Sequence, residues 1–295
     1  MEYKTSEKQS DLVMEPLIEY IAKNNNDKII RPVYKTSDTA LYNEDCLNVM
    51  TKFPDNYIDM IFADPPYMLS NGGVTCHAGK MVAVNKGNWD KSNGFENDIS
   101  FHEKWINECK RILKPEGTIW ISGTNHNIYQ CGFLLQKLEF HVLNDISWFK
   151  PNAAPNLACT TFAHSHETLL WAKKDKKAKH IFNYNLMKNG SFSEDKIKIK
   201  DKQMRSVWSI PTPSPDEKIF GKHPTQKPLA LLKRIILAST NEDSIILDPF
   251  NGGGTTGVAA KIIGNRKYIG IDISKEYIQL TEKRLNQIIQ EPKFF

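Results

Sequence analysis

Apolar residues recur along the chain with two spacings, and together these spacings predict alternating strands and helices. Short continuous apolar runs, such as 57–63 (YIDMIFA) and 118–122 (TIWIS), are typical of parallel strands buried on both faces. Elsewhere the apolar positions repeat every three or four residues. One such stretch predicts a helix that starts at a capping box formed by Ser100 and Glu103 and ends before Pro115.

The same patterns continue to the end of the chain, where strands and helices follow one another at short intervals. This alternation predicts an α/β fold with a doubly wound parallel sheet. Further strands are expected at 40–43, 142–149, 167–172, 244–247 and 267–271, and further helices at 129–138, 228–240 and 274–290.

Three stretches lack either pattern and suggest the domain boundaries. Residues 1–38 are interpreted as an N-terminal extension with helical character, and residues 68–98 as a long polar loop. Residues 173–222 are basic, poor in strand patterns and rich in proline near their end, which is typical of an insertion. The remaining residues, 39–172 and 223–295, are expected to form two parts of one α/β domain.

Composition narrows the class of protein. The chain has 295 residues, of which 40% are hydrophobic and 25% charged, as in ordinary globular proteins. It contains no apolar run long enough for a membrane span and no secretory signal at its start, so we expect a cytoplasmic protein without a membrane partner. The five cysteines are scattered and form no CxxC pair, so neither a disulfide framework nor a metal site is expected.

Charge is unevenly distributed along the chain. The net charge is +5, yet residues 173–205 alone hold eleven Lys or Arg against four Asp or Glu. A basic patch on a nearly neutral body is what an acidic polymer such as a nucleic acid requires of a partner. A solvated surface loop explains the same charge, and the sequence alone leaves both interpretations open.

A glycine-rich segment, 248–256 (DPFNGGGTT), lies between a predicted strand and a predicted helix. Gly252 and Gly254 permit a tight turn and close approach of a ligand, and the helix start offers free N–H groups to an anion. Asp272 follows 18 residues after Gly254 at the end of the next strand, where an acid commonly binds ribose hydroxyls. The combination indicates an adenosine-bearing cofactor, and NAD, FAD and S-adenosylmethionine all remain open.

A second motif, Asp64, Pro65, Pro66 and Tyr67, directly follows the strand at 57–63. The prolines stiffen the exit from the strand and hold a carboxylate, a carbonyl and an aromatic ring in a fixed relation. Two acceptors suit an exocyclic amino group, whose nitrogen becomes more nucleophilic when both of its N–H groups are bound. Tyr67 suits stacking on a base taken out of a duplex.

These motifs together resemble the amino-group DNA methyltransferases. The DPPY motif precedes the glycine motif (Phe250-x-Gly-x-Gly), as in the β class of that family, and residues 223–228 (HPTQKP) match a third family motif. The segments PPYMLSNGG, KGNWDKSNGF, ISGTNHNIY and GKHPTQKP resemble the DpnA type of adenine-N6 methylases from restriction–modification systems, which acts on GATC. The resemblance covers roughly residues 40–290. It implies a circularly permuted Rossmann-like fold with a target-recognition insertion.

The resemblance also implies the cofactor and the residues that hold it. S-adenosylmethionine is expected, with Asp45 and Cys46 at its adenine and Thr225 and Lys227 at its methionine end. In this interpretation 39–172 is the catalytic half of the domain and 223–295 the cofactor-binding half. The other cofactor-binding positions are Asp64, Asp248, Phe250, Asn251, Gly252, Gly254, Thr255, Asp272 and Ile273. The expected DNA-binding positions come from the charge and composition of the insertion and are Lys196, Lys198, Lys200, Gln203 and Arg205.

Several alternatives remain at this point. Cytosine-N4 methylation uses the same amine chemistry, although those enzymes more often carry Ser than Asp at the first DPPY position. A dinucleotide-dependent oxidoreductase gives the DPPY motif no role, and a silent nucleic-acid-binding protein does not need an intact Asp64. Double-stranded DNA is the implied substrate. Single-stranded DNA, a second copy of the chain and a cognate restriction endonuclease are the further partners to be tested.

Overall fold

A mixed sheet of nine strands forms the centre of the molecule in the computed structural model, which describes residues 30–68, 74–77, 80–83 and 90–288. A separate two-stranded hairpin is formed by β4 and β5. The described strands are β1 (Tyr34–Lys35), β2 (Thr39–Tyr42), β3 (Ile58–Ala63), β4 (Val74–His77), β5 (Lys80–Ala83), β6 (Leu113–Gly123), β7 (His141–Phe149), β8 (His166–Lys173), β9 (Val207–Ser209), β10 (Ile245–Asp248) and β11 (Lys267–Ile271).

Helices cover both faces of this sheet. Those from the first part of the chain lie on one face, and those from the last part lie on the other. The described helices are α1 (Cys46–Met50), α2 (Phe95–Ile112), α3 (Ile128–Lys137), α4 (Tyr184–Asn189), α5 (Leu229–Ser239), α6 (Thr255–Ile263) and α7 (Lys275–Asn286), together with a 3-10 turn at Pro215–Lys218.

The strand order confirms the expected circular permutation. From edge to edge the order is β1-β2-β11-β10-β3-β6-β8-β7-β9, so the first strands of the domain lie beside its last ones. The neighbours β10 and β3 pair in parallel although most of the domain separates them in sequence. The order of strands therefore reverses where the two halves of the domain meet.

The sheet is mixed: five neighbouring strands at its centre form a parallel set, and β7 and β9 also pair in parallel. The strands β2, β11, β10, β3 and β6 run parallel, whereas β8 is antiparallel to both of its neighbours and β1 is antiparallel to β2. The expected doubly wound sheet is thus parallel at its centre and antiparallel at these positions; β7 and β8 are joined as a hairpin rather than through a helix.

Two apolar clusters, one on each face, hold the layers together. On the first face Trp105 and Ile112 of α2 and Leu134 of α3 are fully buried against the sheet. On the second face Trp120 stacks on Trp171 with ring centroids 4.8 Å apart. Each large side chain buried in this way contributes roughly 1.5–3 kcal/mol, so the sheet is a rigid support for the loops at its ends.

Several predicted boundaries need correction. The stretch 68–98 is not one loop, because it contains β4, β5 and the start of α2. Helix α2 begins at Phe95 after Gly94, whose positive φ of 99° suits glycine, so Ser100 lies inside the helix and does not cap it. The helix ends at Ile112, since the following residues already belong to β6.

Two further expectations concern the extension and the insertion. Residues 34–35 of the predicted extension form the edge strand β1, and residues 1–29 lie outside the described part of the chain. The insertion 173–222 contains α4 and the strand β9, which pairs with the last residues of β7. Within the described residues no helix is long and apolar enough to cross a membrane.

Candidate active site

A cleft with an empty volume of about 1080 Å³ opens at the carboxyl ends of β2, β3, β10 and β11. Open α/β sheets bind their ligands at this edge, beside the point where the strand order reverses. In this chain that point lies between β10 and β3.

The turn between β10 and α6 is shaped by two glycines. Gly252 and Gly254 have φ values of +49° and +71°, which side chains disfavour. A Cβ at Gly254 would lie 2.3 Å from the side chain of Thr281, and one at Gly252 would lie 3.2 Å from His223. Helix α6 begins at Thr255, so its first N–H groups point toward this turn and can bind an anionic group of a ligand.

The carboxylate of Asp272, after β11, is fixed beside the glycine turn. It accepts hydrogen bonds from the backbone N–H of Gly252 at 2.7 Å and of Ser274 at 2.8 Å. Burial raises the pKa of Asp272 to about 6, although both hydrogen bonds act in the opposite direction. The acid is therefore held in one orientation at the wall of the cleft.

Asp248, the last residue of β10, is held in a similar way. Its carboxylate accepts from Thr256 Oγ1 at 2.6 Å and from the backbone N–H of Phe250 at 3.0 Å. Burial raises its pKa to about 7, again against the effect of these hydrogen bonds. A buried carboxylate without a cationic partner among these contacts favours a ligand that brings positive charge.

Part of the lining of the cleft is apolar. The ring of Phe250 packs edge-on against Trp105, with centroids 5.3 Å apart, and lies 6.2 Å from Phe101. Cys46 is buried in the same lining, and burial raises the pKa of its thiol to about 12, so it stays neutral. Asp45 caps helix α1 by accepting from the backbone N–H of the second helical residue at 2.8 Å. This part of the lining suits a flat, uncharged group such as a purine ring.

A cluster of four charged or polar side chains lies at the carboxyl end of β3. Asp64 Oδ1 lies 2.6 Å from Tyr67 Oη, and Asp64 Oδ2 accepts from Lys227 Nζ at 2.5 Å. Glu167 Oε2 lies 3.1 Å from the same tyrosine oxygen and 3.5 Å from Lys227 Nζ. Residues from three distant parts of the chain therefore meet within hydrogen-bonding or ion-pair distance.

The pKa values of the two carboxylates in this cluster are shifted in opposite directions. Burial alone would raise the pKa of Glu167, but Lys227 and Lys150 bring it down to about 2. Burial raises the pKa of Asp64, with Lys227 opposing the shift. Burial lowers the pKa of Lys227, yet Asp64 and Glu167 together bring it above its ordinary value. Glu167 is thus a fixed negative charge, and Asp64 is the carboxylate that accepts a proton more readily.

Other contacts fix the backbone of the DPPY segment. The N–H of Tyr67 donates to Asp90 Oδ1 at 2.9 Å, and Asn127 Nδ2 donates to the carbonyl of Pro66 at 3.4 Å. On the other side of the cluster, Lys150 Nζ donates a hydrogen bond of 2.5 Å to Glu167 Oε1. The motif is therefore held by residues on both sides before any ligand binds.

Comparison with known proteins identifies this arrangement. The sequence pattern of the DNA methylase family matches residues 58–283. The type II methyltransferase M2.DpnII of Streptococcus pneumoniae is 50% identical over 270 residues, covering 89% of this chain and 97% of its own length. The chain belongs to the DNA methylase family. The enzyme is therefore a DNA methyltransferase, and its cofactor is S-adenosylmethionine.

Solved structures agree with this assignment. The crystal structure of the M1.HpyAVI–SAM complex matches the methylase with a TM-score of 0.61 and 31% identity, over 84% of this chain and 99% of that one. The PvuII DNA methyltransferase, named as cytosine-N4-specific, matches with a TM-score of 0.66 but only 19% identity, over 88% of this chain and 91% of that one, and so supports the fold alone.

The structure of this methylase brings most of the expected site residues to one cleft. Gly254 does not line it, but its positive φ shapes the turn that does. The DNA-binding positions lie apart from the cleft in the insertion. The expected residues that line the cleft are Asp45, Cys46, Asp64, Pro65, Pro66, Tyr67, Thr225, Lys227, Asp248, Phe250, Asn251, Gly252, Thr255, Asp272 and Ile273.

Two of these residues also have contacts within the protein. Lys227 was assigned to the methionine carboxylate of the cofactor, yet its ammonium group already pairs with Asp64 and Glu167 of the protein. Asn251 is buried, and its side-chain Oδ1 accepts a hydrogen bond from Tyr268 Oη at 2.7 Å. Asn251 is therefore fixed beside the glycine turn, and Lys227 is also part of the cluster around Asp64. The cofactor role of each remains a prediction.

Sequence reasoning missed several residues of the site. Lys150, just after a predicted strand, received no role. Glu167 was taken only as the first residue of a strand, although a Glu at the start of an apolar strand is a signal of a buried, paired charge. His223 belongs to a recognised motif but received no role. In the structure it lines the cleft, and its ring lies 4.3 Å from that of Tyr277. The described residues contain no group of three His, Cys, Asp or Glu arranged to hold a metal ion.

Proposed function

We propose that this methyltransferase acts on the N6 amino group of an adenine that is flipped out of double-stranded DNA. The observation that carries the proposal is the position of the DPPY segment, since Asp64 and Pro65 line the same cleft as the cofactor motifs. A base inside a duplex cannot reach such a recess, so the target must leave the stack.

Asp64 has the central role in this proposal. Its carboxylate and the Pro65 carbonyl accept the two N–H groups of the target amine, which localises the nitrogen lone pair for attack. S-adenosylmethionine, when bound, would supply the methyl group of its sulfonium; the methyl–sulfur bond would break as the bond to nitrogen forms, and the neutral thioether S-adenosylhomocysteine would leave. Because burial raises the pKa of Asp64, this carboxylate is suited to take the proton that the amine loses. Lys227 and Tyr67 hold the carboxylate in place through their hydrogen bonds to its two oxygens.

The lining of the cleft fits the cofactor in charge and shape. S-adenosylmethionine carries a sulfonium and an ammonium against one carboxylate, so its net charge is positive. Asp248 and Asp272 are buried acids with raised pKa values, and a cation relieves the cost of ionising them. We assign Asp272 to the ribose hydroxyls and Asp45 with Cys46 to the adenine, and the N-terminus of α6 is suited to the carboxylate of the methionine group.

The test is chemical identification of the product. Purified enzyme is incubated with S-adenosylmethionine and unmethylated plasmid, the DNA is digested to nucleosides, and these are separated and identified by mass spectrometry. N6-methyldeoxyadenosine is expected. N4-methyldeoxycytidine in its place would contradict the adenine assignment and identify the enzyme as a cytosine-N4 methyltransferase.

We further propose GATC as the recognition sequence, because the segments around the active site resemble the DpnA type. The plasmid is propagated with this enzyme in a host that lacks its own GATC methylase. It is then digested with an endonuclease that methylated GATC blocks. Protection is expected, whereas complete cutting of DNA shown to contain methyladenine elsewhere would exclude this site.

The insertion 173–222 is proposed to recognise the target sequence. Strand β9 pairs with the carboxyl-terminal residues of β7, so the insertion joins the sheet close to the catalytic edge. Lys196, Lys200, Gln203 and Arg205 are exposed there and suit phosphate or base contacts. Lys198 differs, because its ammonium group donates to the carbonyls of three residues of the insertion and so supports the loop.

The remaining partners follow from the same role. Tyr129 and Phe133, one turn apart on α3, are 75% and 61% exposed, and we propose that they contact a second copy of the chain. Sedimentation of the wild type and of Tyr129→Ser/Phe133→Ser tests this dimer.

We also propose activity on single-stranded DNA, a location in the cytoplasm where its DNA substrate is found, and a cognate endonuclease whose cutting this methylation blocks.

A further inference from the structure

The loop between β7 and β8, residues 150–165, starts and ends at the catalytic cluster. Strands β7 and β6 both pair antiparallel with β8, so the carboxyl end of β7 lies at the same edge as the DPPY segment. Lys150 N–H donates to the carbonyl of Ser165 at 2.7 Å and closes the loop at its base. The side chain of Lys150 pairs with Glu167 at 2.5 Å. The loop therefore projects from the site where the base reacts.

The tip of this loop has a defined conformation. Asn156 Nδ2 donates to the carbonyl and to the hydroxyl of Thr161 at 2.9 and 2.8 Å, and Asn156 Oδ1 accepts from Ala158 N–H at 3.0 Å. Near the base, Asn152 exchanges two hydrogen bonds with Thr212, each 3.0 Å long. These bonds hold the loop in one shape without burying its surface.

This ordered loop presents an aromatic side chain to solvent. Phe162 is 95% exposed, the highest value among the large hydrophobic side chains of the described residues. It lies five residues before Glu167, so its Cα is at most about 18 Å from that of Glu167 even if the chain is extended. A fixed, fully exposed phenylalanine beside an active site indicates a partner surface, because exposing the ring gains nothing in the free protein.

The charge of the loop favours DNA as that partner. Residues 151–166 contain no Asp or Glu, and the segment carries His164 and His166 in addition to Lys150 at its base. It can therefore approach a phosphate backbone without repulsion. When one base flips out of a duplex, it leaves an apolar gap between the neighbouring base pairs. Apolar side chains of DNA-binding proteins can insert between base steps in this way.

We propose that Phe162 enters the base stack of the DNA and occupies the space that the flipped target base leaves. The inference rests on base flipping in the proposed function. Stacking of the ring on the neighbouring bases offsets part of the cost of unpairing the target. Phe162 is thus a positioning residue: it does not touch the reacting atoms, and it stabilises the DNA conformation in which the reaction occurs.

The experiment compares Phe162→Ala with the wild type on two DNA substrates under single-turnover conditions. One is a duplex with a normal target pair, and the other has the target adenine opposite an abasic site, where the base is already unpaired. We expect Phe162→Ala to slow methylation of the normal duplex by tenfold or more and that of the abasic duplex by less than twofold. Phe162→Trp should restore most of the rate on the normal duplex.

A second measurement reports flipping directly. With 2-aminopurine at the target position, wild-type enzyme should increase the fluorescence, and Phe162→Ala should lose most of this increase. Val33→Ala serves as the control, because Val33 is also exposed but lies beside β1 at the opposite edge of the sheet.

Three outcomes would overturn the inference. The first is an equal loss of rate on both substrates, and the second is an unchanged rate on the normal duplex. The third is a change in sedimentation of Phe162→Ala, which would assign the ring to a contact between two copies of the chain. Absence of a fluorescence increase with the wild type itself would instead contradict base flipping in the proposed function.

Discussion

The cofactor cleft and the insertion 173–222 hold their charged groups in opposite ways. In the cleft, Asp248 and Asp272 are largely buried, and each accepts two hydrogen bonds from the protein. In the insertion, Lys196 and Lys200 are exposed, and only the loop that carries them is anchored. The cleft must orient one small ligand, whereas the role proposed for the insertion is to adapt to a long polyanion. We therefore expect large effects from single changes in the cleft and small, additive effects in the insertion.

The largest effect is expected at Asp64, where the cleft meets the target base. Asp64→Asn keeps the size of the side chain but cannot take up a proton, so we expect the rate of methyl transfer to fall by about 10³-fold or more. Single-turnover methylation measures this rate, and near-UV circular dichroism checks that the fold is retained. Normal turnover by a folded variant would exclude Asp64 from the reaction.

The next effect tests how the insertion is attached. Arg234 of α5 and Asp195 of the insertion form a fully buried ion pair at 2.6 Å, and the guanidinium also lies over the rings of Phe192 and Trp208. Arg234→Ala leaves Asp195 buried without its cation, which should reduce the free energy of unfolding by about 3–5 kcal/mol. Urea unfolding measures this change.

A matched double variant sharpens the interpretation. Arg234→Met with Asp195→Leu removes both charges and should lose less stability than Arg234→Ala alone, because no unpaired charge remains. If both variants are equally destabilised, the packing of the arginine stem, and not the ion pair, attaches the insertion.

The sequence was informative for the cleft because its motifs are local. The DPPY segment and the glycine turn each place several functional groups within a few consecutive residues. The permutation could also be inferred, since the order of these motifs in the chain differs from their order in the unpermuted fold. All the expected cofactor residues except Gly254 line the cleft.

The parts that sequence reasoning missed depend on long-range pairing. Glu167 reaches Asp64 only because β8 turns back as an antiparallel neighbour of β6, and no local pattern specifies that hairpin. The pairing of Lys227 with Asp64 joins residues 163 positions apart. In the same way, β9 has only three residues, and its pairing with β7 determines that it is a strand.

The third effect concerns cofactor affinity. Asp272→Ala removes the carboxylate beside the glycine turn, so binding of S-adenosylmethionine should weaken by about 1–3 kcal/mol if the hydrogen bond to ribose is lost. Isothermal titration calorimetry gives the affinity directly. Asp55→Ala, which removes an exposed acid before β3 and so at the far end of the strands, is the control. Unchanged affinity in Asp272→Ala would place the ribose elsewhere.

The fourth effect is a pH dependence set by Asp248. Its folded pKa of about 7 is higher than the unfolded value of 3.8, so the folded state retains a proton that the unfolded chain has lost. The stability of the free enzyme should therefore fall as the pH rises through this range. A positively charged cofactor favours the ionised carboxylate, so its affinity should rise by a few fold between slightly acidic and slightly alkaline pH. Asp248→Asn should flatten both profiles, and a pH profile unchanged by this substitution would assign the titration to another group.

The smallest effects are expected in the insertion. Each lysine that binds a phosphate releases about one counterion, so its loss should reduce the slope of log affinity against log salt concentration by roughly 0.9. Lys196→Ala and Lys200→Ala should each show this change, and the double variant should show their sum. Lys137→Ala, at the end of α3, removes a lysine that is half exposed and paired with Glu103, and it should leave the slope unaltered.

Lys198→Ala tests a lysine that supports the loop rather than one that is free to bind phosphate. The ammonium group of Lys198 is already bound to three carbonyls. The substitution should loosen the loop and lower affinity at every salt concentration while the slope stays near that of the wild type. Titration of labelled duplex DNA at several salt concentrations measures all of these slopes. Equal slopes for every lysine variant and the wild type would show that the basic segment is a solvated surface, and sequence recognition would then have to come from another part of the enzyme.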